Sequence, residues 1–223
     1  MKNLSILLLI AFYSFSSMAQ TAKPAGTTTN DFVAECMRNS EDGGRKQMVM
    51  WLPTAFWEIV AQQMNAAPEA MEMIVQEMDQ YHMFGVVDYG SPSTGVMDFA
   101  SEEELRKSIK YIDSSKTIFL PLKNDEITPK ARQLVQTMEP MLKQVLGQFG
   151  GGMRIFLFRA KKVNGMNAMD VRAKNSFRLS WGQTNLLWSL PLASLMPPKY
   201  CPVDKEKMKG NWSFCPFHGT KLD

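Results

Sequence analysis

Apolar and polar positions along the chain follow two periods, and each switch marks an element. Phe56, Ile59, Val60 and Met64 recur at helical spacing and predict a helix over 54–64. Pro68 suits a first helical turn, and Ala70, Met71, Ile74, Val75 and Met78 form a second stripe. The period then shortens. Tyr81 to Tyr89 is rich in aromatic and β-branched residues and predicts a strand, paired as a hairpin with 96–100 across the loop 90–95. Ser101 with Glu104 forms a capping box opening a short helix that turns Leu105 and Ile109 inward. A strand is expected over 117–122.

The clearest stripe follows Thr128-Pro129, which supplies an N-cap and a first-turn proline. Ala131, Leu134, Val135, Met138, Met141, Leu142, Val145, Leu146 and Phe149 share its face. Pro140 is expected to kink this helix, and Gly150 to Gly152 to stop it. Ile155 to Phe158 is continuously apolar, as a strand buried on both faces would be. Phe177, Leu179 and Trp181 alternate with Arg178 and Ser180, as a strand with one wet face would, and 186–192 is a further candidate strand. Helices and strands intermix and the first strand pair is a hairpin. The expected class is α+β, a mainly antiparallel sheet packed with helices, with a small C-terminal ribbon-like hairpin. No internal repeat is evident.

The ends of the chain change this picture. Lys2, an apolar stretch over 6–15 and Ser17-Met18-Ala19 have the layout of a secretion signal cleaved near Ala19. The apolar stretch falls short of the roughly 20 residues a bilayer requires, so no transmembrane helix is expected in the mature chain. Residues 20–30 are polar and Thr-rich and read as a flexible linker. The division expected is 1–19 signal peptide, 20–30 linker, 31–196 main domain and 197–223 tail, with the tail set off by Pro197-Pro198.

Charge adds only an exclusion. The formal net charge is +3, and no cluster of basic residues with interleaved aromatics exists, so nucleic acid is not an expected partner. Nucleophile-elbow, metalloprotease, phosphate-loop and dinucleotide motifs are absent. Asp88 and Asp98 flank the predicted hairpin loop and are the acidic pair on which an enzyme could be built. Met64, Met71 and Met78, with Met73 and Met83, could bind copper as thioethers, or fill the core. His82 is expected to be structural or exposed.

Candidate chemistry concentrates in the tail. Cys201-Pro202-Val203-Asp204 and Cys215-Pro216-Phe217-His218-Gly219 each place two ligand-type residues at the ends of a tight turn. Two such turns can complete a tetrahedron around zinc. The segment resembles a divergent zinc ribbon, with Asp204 and His218 in two slots where the family carries Cys and Lys205 in place of the first knuckle Gly. The resemblance implies a structural zinc held by Cys201, Asp204, Cys215 and His218. Outside the cytoplasm a disulfide between Cys201 and Cys215 is the alternative, and free thiols a third. Cys36 is expected to be the unpaired thiol. The function expected is that of an exported, non-catalytic binding or structural protein of the cell envelope, with an envelope protein as a possible partner. A periplasmic copper or zinc handler and an enzyme with an acidic site are the alternatives.

Overall fold

The computed structural model describes residues 29–63, 68–90, 96–160, 162–163, 166–167 and 169–222. The leader expected over 1–19 and the linker up to residue 28 lie outside these residues. Thr29 and Asn30 already belong to the first helix, α1 (Thr29–Cys36). A hairpin with no counterpart in the sequence reading follows, β1 (Met37–Asp42) and β2 (Arg45–Leu52). Gly43 and Gly44 both have positive φ, at 56° and 78°. A two-residue turn that matches strand twist demands this, and glycine meets it without steric cost.

Helices α2 (Thr54–Gln63) and α3 (Pro68–Met78) come next, then β3 (Tyr81–Gly90). The short strand β4 (Asp98–Phe99) pairs with the end of β3. Helix α4 (Glu102–Ser108) carries the expected capping box: the Ser101 hydroxyl accepts from Glu104 N–H while the Glu104 carboxylate accepts from Ser101 N–H. β5 (Lys110–Ile112) and β6 (Ile118–Phe119) follow. The latter is much shorter than the 117–122 expected: past Phe119 the chain leaves the strand pairing, and Leu122 N–H donates instead to Leu157 O at 2.8 Å. Helix α5 (Pro129–Leu146) runs through Pro140 and ends at Gly147 (φ 56°) rather than at the triple glycine. Gly150 to Gly152 instead close a short helix, α6 (Gln148–Gly152). The remaining strands are β7 (Arg154–Arg159), β8 (Lys162–Val163), β9 (Met166–Asn167), β10 (Asn175–Trp181) and β11 (Thr184–Leu190).

The fold is α+β, and every strand pair among the described residues is antiparallel. Of the two larger sheets, one runs β1-β2-β3, with β7 and β4 sharing the far edge of β3, and the second runs β11-β10-β5-β6; β8 and β9 form a small separate pair, as do two strands of the tail. The register sets Trp51 opposite Phe84 and Phe84 opposite Phe156. That face of the first sheet meets the second. Phe84 contacts Tyr111, Phe177 and Trp188 at centroid distances of 6.4, 6.0 and 5.8 Å, and Phe177 stacks on Trp188 at 5.2 Å. On the opposite face the Tyr81 hydroxyl accepts from the N–H of Thr128, where α5 begins. Ala131, Leu134, Met138 and Leu142 of α5 belong to the same core. β3 is therefore covered on both sides, and residues 81–88 are all buried.

Three of the singled-out groups acquire definite settings. Cys36, expected to be the unpaired thiol, is free and lies in the core, where its carbonyl accepts from Trp188 Nε1 at 3.2 Å. Burial and the neighbouring Glu35 push its thiol pKa well up, which leaves it inert. His82 is buried, and desolvation pushes its pKa down to about 3 against the opposing pull of Asp79. Asp88 and Asp98 do converge, but on a cation: Arg45 Nε donates to Asp88 Oδ1 at 2.6 Å and Arg45 Nη1 to Asp98 Oδ2 at 3.0 Å. Trp181 Nε1 donates to the other Asp88 oxygen at 2.9 Å.

The His82 environment fixes the sign of a pH effect. The unfolded chain takes up this proton below its ordinary value of 6.5, whereas the folded chain refuses it until about 3. The stability present above pH 6.5 is therefore lost progressively as pH falls toward 3, by up to about 1.4 kcal/mol per pH unit. Urea unfolding at pH 7.5 and 4.5 should show His82→Asn losing roughly 3 kcal/mol less than the parent chain over that interval.

Candidate metal centre

The tail begins with β12 (Lys199–Tyr200) and continues through β13 (Lys207–Met208). Aligned by structure, residues 200–208 (YCPVDKEKM) and 214–222 (FCPFHGTKL) are two copies of one unit. In the first, Lys205 N–H donates to Cys201 O at 2.9 Å and Cys201 N–H to Glu206 O at 2.9 Å; in the second, Gly219 N–H donates to Cys215 O at 2.8 Å and Cys215 N–H to Thr220 O at 2.7 Å. Tyr200 pairs with Lys207, and Phe214 with Lys221. Each turn also needs a left-handed residue at the same place, Lys205 (φ 61°) in one and Gly219 (φ 64°) in the other. The repeat escapes a sequence search because only Cys-Pro and one Lys are identical between the copies.

The turns point their sulfurs inward. Cys201, Met208, Cys215 and Leu222 are buried and form a small core of their own, with Trp212 packed on it. His218 Nδ1 lies 3.3 Å from Cys201 Sγ and 3.6 Å from Cys215 Sγ. The ligand atoms of Cys201, Cys215 and His218 are all within 4.8 Å of one another. A tetrahedral zinc ion with ordinary Zn–S and Zn–N bonds has S···N edges of about 3.6 Å. The three donors thus have the spacing of one face of such a tetrahedron and could hold a metal ion.

Asp204 occupies the edge of this cluster. Its Oδ2 is 3.6 Å from His218 Nδ1, while Oδ1 accepts from Glu206 N–H at 3.0 Å. It does not join the mutually close group of three. Chiefly because of the Glu206 N–H, its carboxyl is held below the usual range. Burial raises the Cys201 thiol, but the N–H groups of Asp204 and Val203 directed at the sulfur outweigh it, and the net shift is downward. Such N–H groups favour thiolate, the form that binds metal. Cys36, with its raised pKa and distant position, shows the opposite environment. All three cysteines carry free thiols in this structure, so the Cys201–Cys215 disulfide is not formed here.

The body contributes an anchor: Asn211 Nδ2 donates to Pro191 O at 3.0 Å. Within the tail, Lys209 lies over the Trp212 ring at 5.8 Å. The methionines divide: Met78 and Met83 are in the core, Met73 is exposed, and Met64 and the Met71 side chain lie outside the described residues. Among the described residues no helix is long and apolar enough to cross a membrane. Comparison of the chain with protein families, with curated proteins and with solved structures gives no match.

Lys205 pays a backbone cost that Gly219 avoids. Lys205→Gly should raise the unfolding free energy of the tail by about 1 kcal/mol, since the left-handed conformation penalises side chains with a Cβ. Hydrogen exchange of the Lys205 and Cys201 amides would report it as slower opening.

Proposed function

We propose that the chain is an exported, non-catalytic binding or structural protein of the cell envelope, whose tail is organised around one structural zinc ion. Cys201, Cys215 and His218 supply three ligands and Asp204 the fourth, after a small closure of its carboxylate. The observation that carries the metal reading is the placement of His218 Nδ1 between two buried sulfurs, at 3.3 and 3.6 Å. Two thiolates, an imidazole and a carboxylate are a donor set that zinc accepts, and four protein ligands leave it no position for a substrate. The ion would cross-link two turns whose own core is only Cys201, Met208, Cys215 and Leu222.

Export rests on the leader-like residues 1–19 and the polar stretch after them. A non-catalytic role rests on the acidic pair. Asp88 and Asp98 both bond to Arg45, and Asp88 also to Trp181, which supports a structural role for the pair. Copper handling by methionine has less support, because Met78 and Met83 are buried among core side chains.

Purified under reducing conditions, the mature protein should carry one zinc per chain by elemental analysis. Cys215→Ala should abolish it, and Asp204→Ala should weaken it roughly tenfold to a hundredfold without abolishing it. Stoichiometric copper that depends on Met73 would instead favour the metal-handling reading. A chain with no metal and a Cys201–Cys215 bond would favour the disulfide.

A further inference from the structure

The two units of the tail match in what they expose as well as in what they bury. The fourth position of each is an apolar side chain left in solvent, Val203 at 60 % and Phe217 at 72 % exposure. The first position of each is an exposed aromatic ring, Tyr200 at 57 % and Phe214 at 59 %. Each ring pairs across its ribbon with a lysine at the eighth position, Tyr200 with Lys207 and Phe214 with Lys221. Among the described residues, every exposed Phe, Tyr or Trp ring lies in the tail. Val203 and Phe217 each precede a residue at the metal centre, Asp204 and His218, whose side chains approach to 3.6 Å. The two apolar tips therefore share one end of the tail.

Charge divides in the same way. Residues 197–223 hold five lysines and three acidic residues, whereas residues 20–196 hold nineteen of each sign. The positive excess of the chain after residue 19 thus resides entirely in the tail. A zinc ion and two thiolates cancel, so metal binding leaves that excess unchanged. Exposed apolar tips beside lysines fit a surface that is apolar inside and negative outside. A second copy of the chain would bring lysine against lysine, which like-charge repulsion opposes. An acidic protein would answer the lysines but must also supply a groove shaped to the tips, which a fluid bilayer does not need. Anionic phospholipid meets both demands. Acyl chains at the headgroup boundary receive the apolar tips, and the long lysine stems keep their ammonium groups among the phosphates.

We infer that the tail docks on an anionic phospholipid surface of the envelope, with Val203 and Phe217 entering the headgroup boundary and Lys207 and Lys221 beside phosphate groups. The surface deepens the envelope-protein reading and rests on it. None of these four side chains is a metal ligand, so the surface can be altered with the metal centre in place.

Co-sedimentation of the full mature chain with vesicles tests it, with mixed phosphatidylcholine and phosphatidylglycerol as the probe and phosphatidylcholine alone as the comparison. Zinc content is measured on every variant. The anionic vesicles should carry the protein down, and high salt should release most of it. Phe217→Ser should weaken binding about tenfold, the effect of one large apolar group left in water. Lys207→Gln and Lys221→Gln together should weaken it about fivefold for each lysine replaced, and this pair decides the matter if Phe217→Ser loses its zinc. Met73→Ser, at an exposed apolar position of the body, should leave binding unchanged. No binding to anionic vesicles, equal binding to phosphatidylcholine alone, or binding unmoved by the tail variants would overturn the proposal. A dimer that Phe217→Ser dissociates, without vesicle binding, would overturn it in favour of a second copy. Vesicle binding by a zinc-free chain that still responds to the variants would refute only the metal reading. Export is read separately from the N-terminal mass of the chain recovered from cells: an intact leader would refute the envelope reading whatever the vesicles show.

Discussion

A tail of some two dozen residues cannot fold by burying hydrocarbon. Its core is Cys201, Met208, Cys215 and Leu222, with Trp212 laid against it, and so small an apolar interior leaves chain entropy largely unopposed. What holds the two turns together must be polar and directional. Convergence of two sulfurs and an imidazole nitrogen meets that need if a cation sits among them, and the rest of the tail follows from it. The N–H groups directed at Cys201 favour the charged sulfur. The left-handed residues Lys205 and Gly219 close the turns that aim the side chains.

The main domain solves the same problem by different means. Its central strand β3 is buried on both faces, one against the aromatic layer of Tyr111, Phe177 and Trp188, the other against helix α5. Aromatic contacts such as Phe84 on Trp188 join the two sheets. This body needs no cross-link, and its buried Cys36 takes part in none. The tail is anchored to it through Asn211 on Pro191 O. The two parts can therefore be perturbed separately, the tail by removing donors and the body by removing packing.

Legibility in the sequence followed the strength of local signals. The capping box at Ser101 and the Thr128-Pro129 helix start were readable because their chemistry is confined to a few neighbouring residues. The same holds for Cys215 and His218, which share one turn; Cys201 joins them only because the two turns dock on each other. The β1–β2 hairpin was missed because MRNSED lacks apolar alternation; its signal was the Asp42-Gly43-Gly44 turn. Strand β5 has three residues and exists through its pairing with β10, which no local pattern encodes. The fate of Asp88 and Asp98 was invisible because their partner, Arg45, is a neighbour only through the pairing of β2 with β3 and lies far away in sequence.

X-ray absorption at the zinc edge of the mature protein, purified under reducing conditions, tests the central claim most directly. The account predicts a four-coordinate first shell of two sulfurs at about 2.3 Å and two nitrogen or oxygen atoms at about 2.0 Å, with one sulfur lost in Cys201→Ser. A six-coordinate shell of oxygen and nitrogen without sulfur would contradict it.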